Sequence, residues 1–230
     1  MSLFNSPTLL IPAAGFGTRV GSPPSKELYL RPDSNETLIS GAIRWGEERH
    51  WPIVIITRRD KTVLNEYLFK NHPKVEVVII DKSEDWQSSV LQSYESWGEH
   101  NILILPDVEF EPLSILDDIA KELNIYDIVG ACHKVNDQEN WGHIWKVNDN
   151  EYAVFEKPLT SLNINTSNLN SFKFIDYVQK SSAWGILGFR KKHGRKLLEA
   201  QWQSQREQFA VQVSGSFKLL ELNKFVDLTR

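Results

Sequence analysis

The stretch that decides the fold is Leu10-Ile11-Pro12-Ala13-Ala14-Gly15-Phe16-Gly17-Thr18-Arg19, which is followed seven positions later by Lys26. The apolar run at residues 8–11 predicts a buried strand. This strand leads into a loop of small residues, where backbone N–H groups can approach an anion closely. Arg19 and Lys26 add positive charge beside these amides. The stretch therefore predicts a loop that binds a polyphosphate at the end of a strand.

Two well-known phosphate-binding loops do not fit this stretch. A Walker loop requires Gly, four other residues and then Gly-Lys-Ser/Thr, a pattern that the sequence lacks. The dinucleotide-binding pattern requires a third glycine three positions after the second. Here Gly21 follows Gly17 by four positions, and Arg19 lies between them. The sequence therefore predicts a phosphate loop of another kind.

Apolar runs alternate with helical patterns over about the first 135 residues. The pattern predicts strands at 9–12, 53–57, 75–80, 102–105 and 128–132, and helices at 37–49, 61–70, 86–97 and 113–123. Continuous apolar strands separated by helices are typical of a mainly parallel sheet that is covered on both faces. Ligands bind such sheets at the carboxyl ends of the strands. The predicted fold class is therefore α/β, a Rossmann-like sheet in three α/β/α layers.

The pattern changes after about residue 135. Residues 143–147 and 152–155 flank Asn148-Asp149-Asn150-Glu151 and predict a β-hairpin. The pattern also predicts strands at 174–178, 183–189 and 217–222, a helix at 192–208, and a polar loop at 160–171. We expect a single domain over residues 1–230, with one half at about 1–135 and a second half, carrying the hairpin as a small lobe, at about 136–230.

The composition restricts the classes of protein to which the chain can belong. Its 230 residues are 41% hydrophobic and 24% charged, which is typical of a globular protein, and the net charge of -4 argues against nucleic-acid binding. No apolar run has transmembrane length, and we see no signal region, so we expect a cytoplasmic protein without membrane contact. Cys132, the single cysteine, lies in an apolar run and is expected to be a buried thiol. The oligomeric state is left open.

The loop resembles the signature of the nucleotidyltransferases that make nucleotide sugars, Leu-x-Ala-Ala-Gly-x-Gly-Thr-Arg followed by Pro/Ser-Lys. Residues 11–19 are most similar to uridylyl- and thymidylyltransferases that act on glucose 1-phosphate, whereas the short gap to Lys26 is closer to cytidylyltransferases and to N-acetylglucosamine-1-phosphate uridylyltransferases. The resemblance implies transfer of a nucleotidyl group from an NTP, with UTP or dTTP favoured, to a sugar 1-phosphate, and release of pyrophosphate. It implies a nucleotide-binding first half and a sugar-binding second half. It assigns catalytic contacts with the phosphates to Arg19 and Lys26, and nucleotide binding to Ala13, Ala14, Gly15, Gly17 and Thr18.

Two aspartates are candidate ligands for a metal. Asp107 follows a predicted strand and Pro106, and Leu105-Pro106-Asp107-Val108-Glu109-Phe110 resembles the family's Gly-Asp-x-x-Phe segment, whose Asp binds the metal. Asp227 in Phe225-Val226-Asp227-Leu228-Thr229 resembles the second metal aspartate of the family, although the glycine of Asp-x-Gly-Thr is missing. Carboxylate oxygens suit Mg²⁺. The resemblance therefore implies Mg²⁺ as the cofactor.

Further segments resemble the base-binding and sugar-binding motifs of the family. Gln87 and Ser88 open a predicted helix at the position where the family contacts the base, and an amide there matches the edge of uracil or thymine. Phe155-Glu156-Lys157-Pro158 is similar to the Glu-Lys-Pro motif whose Glu binds sugar hydroxyls and whose Lys meets the sugar phosphate. Trp141-Gly142-His143-Ile144 resembles the segment beneath the sugar ring, where Gly142 would permit close approach.

Two other functions stay open on the same fold. A CTP-dependent enzyme acting on an alditol phosphate, phosphocholine or a similar phospho-alcohol fits the short gap between Arg19 and Lys26, whereas Glu156 and Lys157 favour a sugar. A non-catalytic regulator that binds nucleotide sugars fits the altered context of Asp227. The sequence does not identify the sugar, the pathway or the base.

Overall fold

The computed structural model of the chain describes residues 6–15, 25–32, 34–135, 140–157 and 183–229. The chain divides into two compact units. The first comprises Met1–Glu111 with Lys224–Arg230, and the second comprises Pro112–Asn223. The division near residue 135 that the sequence indicates concerns ligand binding by the two halves, and it stays a prediction.

A parallel sheet forms the centre of the first unit. Its strands are β1 (Thr8–Pro12), β2 (Ile53–Arg58), β3 (Glu76–Ile80) and β4 (His100–Ile104). β1 pairs in parallel with β2 on one side and with β4 on the other, and β3 pairs with β2. Strands β1, β2 and β4 are buried almost throughout, which explains their continuous apolar sequences. The predicted α/β fold with a mainly parallel sheet is confirmed.

Helices follow the strands of the first unit, as predicted. They are α1 (Leu38–Glu47), α2 (Thr62–Asn71) and α3 (Trp86–Leu91), with short 3₁₀ helices at Lys26–Leu28 and Tyr94–Ser96. The single helix predicted at 86–97 was too long. The hydroxyl of Ser93 donates to the carbonyl of Val90 at 2.7 Å and accepts from the Trp97 indole at 2.9 Å. These side-chain bonds stabilise a turn that interrupts the helix after Leu91.

A two-stranded antiparallel sheet that the sequence did not reveal completes the first unit. It pairs β5 (Val108–Glu111) with β12 (Lys224–Asp227). Each strand has only four residues, which is too short for alternation to be recognised. The register places Asp227 opposite Val108, the residue that follows Asp107. The sheet therefore carries the end of the chain back to the first unit.

The second unit contains a mixed sheet. Its strands are β6 (Ile128–His133), β7 (Gly142–Asn148), β8 (Glu151–Glu156), β9 (Ala183–Arg190), β10 (Val211–Ser214) and β11 (Phe217–Glu221). The strand order is β10-β8-β7-β9-β6-β11, with β6 and β11 parallel and the other pairs antiparallel. The helices are α4 (Ile115–Glu122) and α5 (Lys191–Glu207). The hairpin predicted around Asn148-Asp149-Asn150-Glu151 is confirmed as β7–β8.

Four other sequence-based expectations bear on the fold. Cys132 is buried in β6, and burial raises the pKa of its thiol to about 12, so this thiol is a core group and not a nucleophile. None of the helices in the described ranges is long and apolar enough to cross a membrane. The strand predicted at 174–178 and the polar loop predicted at 160–171 lie outside the described residues.

Candidate active site

A pocket opens where β1 and β4 end, within the first unit. After β1 the chain adds β2 and then β3 on one side of β1, whereas β4 pairs with the other side of β1. The order of the strands therefore reverses between β1 and β4, and their carboxyl ends flank a topological switch point. Ligands of open α/β sheets bind at such points. The pocket is lined by Pro12, Ala14, Gly15, Lys26, Glu27, Trp86, Ser89, Leu105, Pro106 and Asp107.

The small-residue loop is described as far as Gly15. Ala13 and Ala14 are buried, and Ala14 and Gly15 line the pocket. Gly17, Thr18 and Arg19 lie outside the described residues, so their contacts with nucleotide stay predictions.

Lys26 and Asp107 form an ion pair in this pocket. Lys26 begins the 3₁₀ helix Lys26–Leu28, and its ammonium contacts Oδ2 of Asp107. The side chain of Asp107 is only 5% exposed, whereas that of Lys26 is 24% exposed. The structure therefore brings together a cation and a carboxylate that are 81 positions apart in the sequence. Both were predicted to act on the triphosphate and its metal.

Thr229 links Asp107 to Asp227. Its hydroxyl lies 2.9 Å from Oδ2 of Asp107 and 2.9 Å from Oδ1 of Asp227. The amide of Thr229 also donates to Oδ1 of Asp227 at 2.9 Å, and the amide of Leu228 donates to the carbonyl of Asp107 at 2.8 Å. A single hydroxyl proton serves one carboxylate at a time. The two carboxylate oxygens are therefore neighbours, at most about 5.8 Å apart from the two distances to the hydroxyl.

The two aspartates suit a hard divalent cation. Mg²⁺ is bound by one or two protein carboxylates and completes its octahedron with water and phosphate oxygens. No group of three or more His, Cys, Asp or Glu side chains that could hold a metal occurs in the described part of the chain. A pair of aspartates beside a loop that is predicted to bind phosphates fits the expected Mg²⁺ of an NTP complex better than it fits a metal site built by protein alone.

A buried ion pair behind the loop was not found from the sequence. The Nζ atom of Lys61, at the start of α2, donates to Oε1 of Glu27 at 2.8 Å and to the carbonyl of Ala13 at 2.7 Å. The side chains of Lys61 and Glu27 are 8% and 1% exposed. Burial lowers the pKa of Lys61, and the nearby Glu27 carboxylate opposes this shift. A lysine before a helix ordinarily lies in solvent, so only the tertiary structure reveals the pair.

The first turn of α3 lies at the pocket with a different set of side chains from the predicted one. Asp85 caps the helix by accepting from the amide of Ser88 at 2.7 Å, and the hydroxyl of Ser88 lies 3.3 Å from the amide of Asp85, which completes a capping box. Gln87 is fully buried. Trp86 and Ser89 line the pocket instead. Base contacts by Gln87 and Ser88 stay predictions, and Trp86 and Ser89 join the candidates.

The predicted sugar-binding residues cluster at the open end of the β7–β8 hairpin in the second unit. Gly142 lies opposite Glu156 in the register, and the amide of Lys157 donates to the carbonyl of Trp141 at 3.1 Å. Glu156 is 1% exposed, and its Oε2 accepts from the Trp184 indole at 3.2 Å. A Cβ on Gly142 would overlap both Glu156 Oε2 and Trp184 Nε1. The glycine therefore permits Glu156 and Trp184 to pack closely against the strand, and Trp184 is a neighbour that the sequence did not indicate. Close approach of a sugar ring to Gly142 stays a prediction.

Comparison with solved structures gives matches that span almost the whole chain. One is a protein from Bacillus anthracis, described provisionally as a glucose-1-phosphate thymidylyltransferase and solved with a sucrose (TM-score 0.65, 14% identity, 96% of this chain and 89% of that chain). A second is the UTP-bound UGPase from Acinetobacter baumannii (TM-score 0.59, 16% identity, 98% of this chain and 89% of that chain). A third is the inositol-1-phosphate CTP transferase from T. maritima (TM-score 0.61, 16% identity, 96% of this chain and 89% of that chain). The chain has the sugar-phosphate nucleotidyltransferase fold. The resemblance in the loop predicted this fold, and the structural matches confirm it.

Comparison of whole sequences does not reveal this similarity, although the motif in the loop does. No protein-family profile matches the chain, and no curated protein is significantly similar to it. At 14–16% identity to the solved structures, the likeness establishes the fold, while the chemistry has to be argued from the site.

Proposed function

We propose that the protein is an Mg²⁺-dependent enzyme that transfers the nucleotidyl group of an NTP to a sugar 1-phosphate. An oxygen of the sugar phosphate attacks the α-phosphorus, the bond from this phosphorus to the bridging oxygen breaks, and pyrophosphate leaves. The products are a nucleotide sugar and pyrophosphate. UTP or dTTP is the favoured donor.

The observation that carries the proposal is the set of side chains in the switch-point pocket. Lys26, Asp107, Thr229 and Asp227 lie within hydrogen-bonding distance of one another in turn, next to Ala14 and Gly15 of the loop. Nucleotidyl transfer needs positioning and neutralisation of charge more than it needs a covalent intermediate. A cation and a pair of carboxylates that suits Mg²⁺, beside a loop for phosphates, supply these two requirements.

Each group in this pocket has a proposed role. The ammonium of Lys26 balances negative charge on the α-phosphate, and Arg19 holds the leaving pyrophosphate through a bidentate guanidinium contact. Asp107 and Asp227 would hold Mg²⁺, which, when bound, stabilises the charge that develops on the phosphate oxygens. Thr229 keeps the two carboxylates together, although they repel each other. The ion pair of Lys26 with Asp107 offsets part of that repulsion before nucleotide binds.

The proposed sugar site uses Gly142, Glu156 and Lys157. The Glu156 carboxylate is buried and already accepts one hydrogen bond from Trp184, which holds its orientation for a sugar hydroxyl. Lys157 has a backbone φ of 46°, a conformation that is uncommon for a residue other than glycine. Such local strain occurs at sites where geometry matters for binding. We propose that it directs Lys157 towards the sugar phosphate.

A CTP-dependent enzyme that acts on a phospho-alcohol other than a sugar is the second candidate. The specific observation in its favour is the similarity to the inositol-1-phosphate CTP transferase, together with the short gap between Arg19 and Lys26. The donor base separates the two candidates. An amide at Gln87 that accepts from a ring N–H and donates to a carbonyl matches uracil and thymine, whereas cytosine requires the reverse arrangement.

Competition binding with UTP, dTTP, CTP, ATP and GTP tests the choice of donor. We expect UTP or dTTP to bind at least tenfold more tightly than CTP, a difference of about 1.4 kcal/mol. Tighter binding of CTP would replace the uridylyl or thymidylyl assignment with the cytidylyl one. A panel of sugar 1-phosphates, inositol phosphate, alditol phosphates and phosphocholine, assayed by mass spectrometry of the products with the preferred donor, then identifies the acceptor.

A further inference from the structure

Two cationic side chains bind the backbone at the point where β1 becomes the small-residue loop. The Nζ atom of Lys61 donates to the carbonyl of Ala13 at 2.7 Å, and Nη1 of Arg58 donates to the carbonyl of Ala14 at 3.1 Å. The amide of Ala13 still donates to the carbonyl of Ile56 in β2 at 2.7 Å. The side-chain bonds therefore begin where the bonds of the sheet end.

These two bonds determine the direction of the amides that follow. In a planar trans peptide, the C=O and the N–H of the next residue point in opposite directions. The Ala13 carbonyl shares its plane with the amide of Ala14, and the Ala14 carbonyl shares its plane with the amide of Gly15. Both amides must therefore point away from Lys61 and Arg58. Neither amide has a hydrogen-bond acceptor among the described residues, and both Ala14 and Gly15 line the pocket.

Each of the two cations is itself held in place. Lys61 also bonds Oε1 of Glu27, the residue next to Lys26, so Lys61 joins the loop to the 3₁₀ helix that carries Lys26. Arg58 makes two 2.8 Å bonds to the carboxylate of Asp60, and these bonds lower the pKa of Asp60. The side chain of Arg58 is 7% exposed, whereas that of Asp60 is 67% exposed.

We propose that Arg58 and Lys61 are positioning residues for the triphosphate site. They hold two successive peptide planes so that the amides of Ala14 and Gly15 face a phosphate, and their positive charge lies behind the loop. Two adjacent amides that point the same way form an anion-binding nest. The inference rests on the proposed function only in naming the anion as the phosphates of an NTP, because the geometry itself requires only an oxyanion.

The test compares the affinity for inorganic triphosphate of the wild type with that of Arg58→Met and Lys61→Met. Arg59→Met is the matched control, because Arg59 is the neighbour of Arg58 but forms an exposed pair with Asp81. We expect the first two variants to bind triphosphate at least about tenfold more weakly in calorimetric titration, since they lose oriented donors to a charged group. The control removes the same charge and is expected to stay within about twofold of the wild type.

A second readout separates positioning from a general structural role. Uridine lacks phosphates, so its affinity should stay unchanged in the folded variants, whereas the affinity for UTP should fall with that for triphosphate. A structural defect would weaken both ligands equally. Arg58→Lys keeps a positive charge at this position but lacks the guanidinium that bonds Ala14 and Asp60 at the same time. We expect it to bind triphosphate more tightly than Arg58→Met and more weakly than the wild type.

The outcomes are distinct. Triphosphate affinity within twofold of wild type in folded Arg58→Met and Lys61→Met would overturn the inference, as would a wild type that does not bind triphosphate. If Lys61→Met does not fold, because it leaves Glu27 buried without its partner, Arg58→Met decides, since the carboxylate that pairs with Arg58, Asp60, is exposed to solvent. A wild type that binds triphosphate, loses it in both variants and transfers no nucleotidyl group would contradict the proposed function and leave the positioning role standing.

Discussion

Thr229 places its hydroxyl between two carboxylates that are 120 positions apart in the sequence, Asp107 and Asp227. Two carboxylate charges so close together are costly unless a cation lies beside them. Lys26 supplies one such charge. At the scale of single residues, the proposed chemistry depends on the balance between the negative charges of the aspartates and phosphates and the positive charges of Lys26 and Mg²⁺.

Replacing Lys26 tests this dependence. In Lys26→Met we expect turnover to fall by about two orders of magnitude. This is the typical effect of removing a side chain that stabilises the negative charge of a transition state. The comparison variant is Lys224→Met. In the wild type, the ammonium of Lys224 pairs with Glu109 and Glu111 on the surface of the same unit. Steady-state pyrophosphate release measures both variants. A Lys26→Met enzyme within threefold of the wild type would show that Lys26 has no role in transfer.

Gly142 tests the packing around the proposed sugar site. A methyl group on Gly142 would overlap Glu156 and Trp184, so Gly142→Ala is expected to lower the free energy of unfolding by about 1–3 kcal/mol. Gly15→Ala is the control for stability, because a Cβ there would meet no atom within 4 Å. Urea denaturation measures both. Equal stability of the two variants would mean that the site around Glu156 adapts more easily than the structure indicates.

The residues of the candidate site were only partly predictable. Asp107 could be predicted because it follows a strand and resembles a motif of the family, and Asp227 because it resembles a second motif. Thr229, Lys61 and Glu27 could not, since each acts through a partner distant in the sequence, and a threonine near the end of a chain or a lysine near a helix carries no local signal. Their roles depend on the pairing of β5 with β12 and on the bond from Lys61 to the carbonyl of Ala13 in the loop.

At the scale of elements, the capping box of α3 stabilises the helical turn that lines the pocket. Asp85 and Ser88 form a capping box at its first turn, and the same turn presents Trp86 and Ser89 to the pocket. A helix of six residues has little stability of its own, so its first turn depends on this cap. Loss of the cap should therefore affect stability and nucleotide binding together.

The prediction for α3 uses a pair of variants. Asp85→Ala is expected to lower the free energy of unfolding by about 1 kcal/mol and to weaken UTP binding, whereas Asp85→Asn should change little because Asn also caps helices. Chemical denaturation and calorimetric titration measure the two effects. UTP binding that is unchanged in Asp85→Ala, or weakened equally in both variants, would exclude capping as the link between helix and pocket.

Asp127 joins the start of β6 to the turn between β10 and β11. Burial alone would raise the pKa of this carboxyl, but bonds from the amide and hydroxyl of Ser216, with Arg190 and His193 nearby, lower it below its ordinary value. A carboxyl whose pKa is lower in the folded state stabilises the protein above the unfolded pKa of about 3.9. This contribution is lost as the pH falls through the folded pKa.

The pH dependence of stability tests this linkage. We expect Asp127→Asn to be less stable than the wild type at pH 7, and the difference to shrink as the pH falls below about 4. Denaturation curves from pH 3 to pH 8 measure the difference. A difference that stays constant over this range would show that Asp127 contributes through packing rather than through its charge.

Elements were predictable where they were long. The strands of the parallel sheet and the β7–β8 hairpin followed from apolar runs and turn residues. The strands β5, β10 and β12, each of four residues, gave no recognisable period, and the predicted helix at 86–97 was divided by hydrogen bonds of Ser93. Short elements depend on tertiary partners, so their own sequences do not determine them.

At the scale of the whole molecule, the two compact units hold different parts of the proposed chemistry. The first contains Lys26, Asp107 and Asp227, and the second contains Glu156 and Lys157. The alternation of strands and helices made the fold class predictable. The boundaries of the units were not predictable, because the last strand of the chain returns to pair with β5 in the first unit.

The most direct test of the central claim is pyrophosphate release by the wild type and by Asp107→Asn, with UTP or dTTP, a panel of sugar 1-phosphates and Mg²⁺. We expect the wild type to form a nucleotide sugar and one pyrophosphate per turnover, and Asp107→Asn to lose at least about two orders of magnitude in turnover. Glu111→Gln, which alters an exposed carboxylate in the adjacent strand β5, should keep the wild-type rate. A wild type that releases no pyrophosphate with any of these pairs, or an Asp107→Asn variant as active as the wild type, would contradict the account.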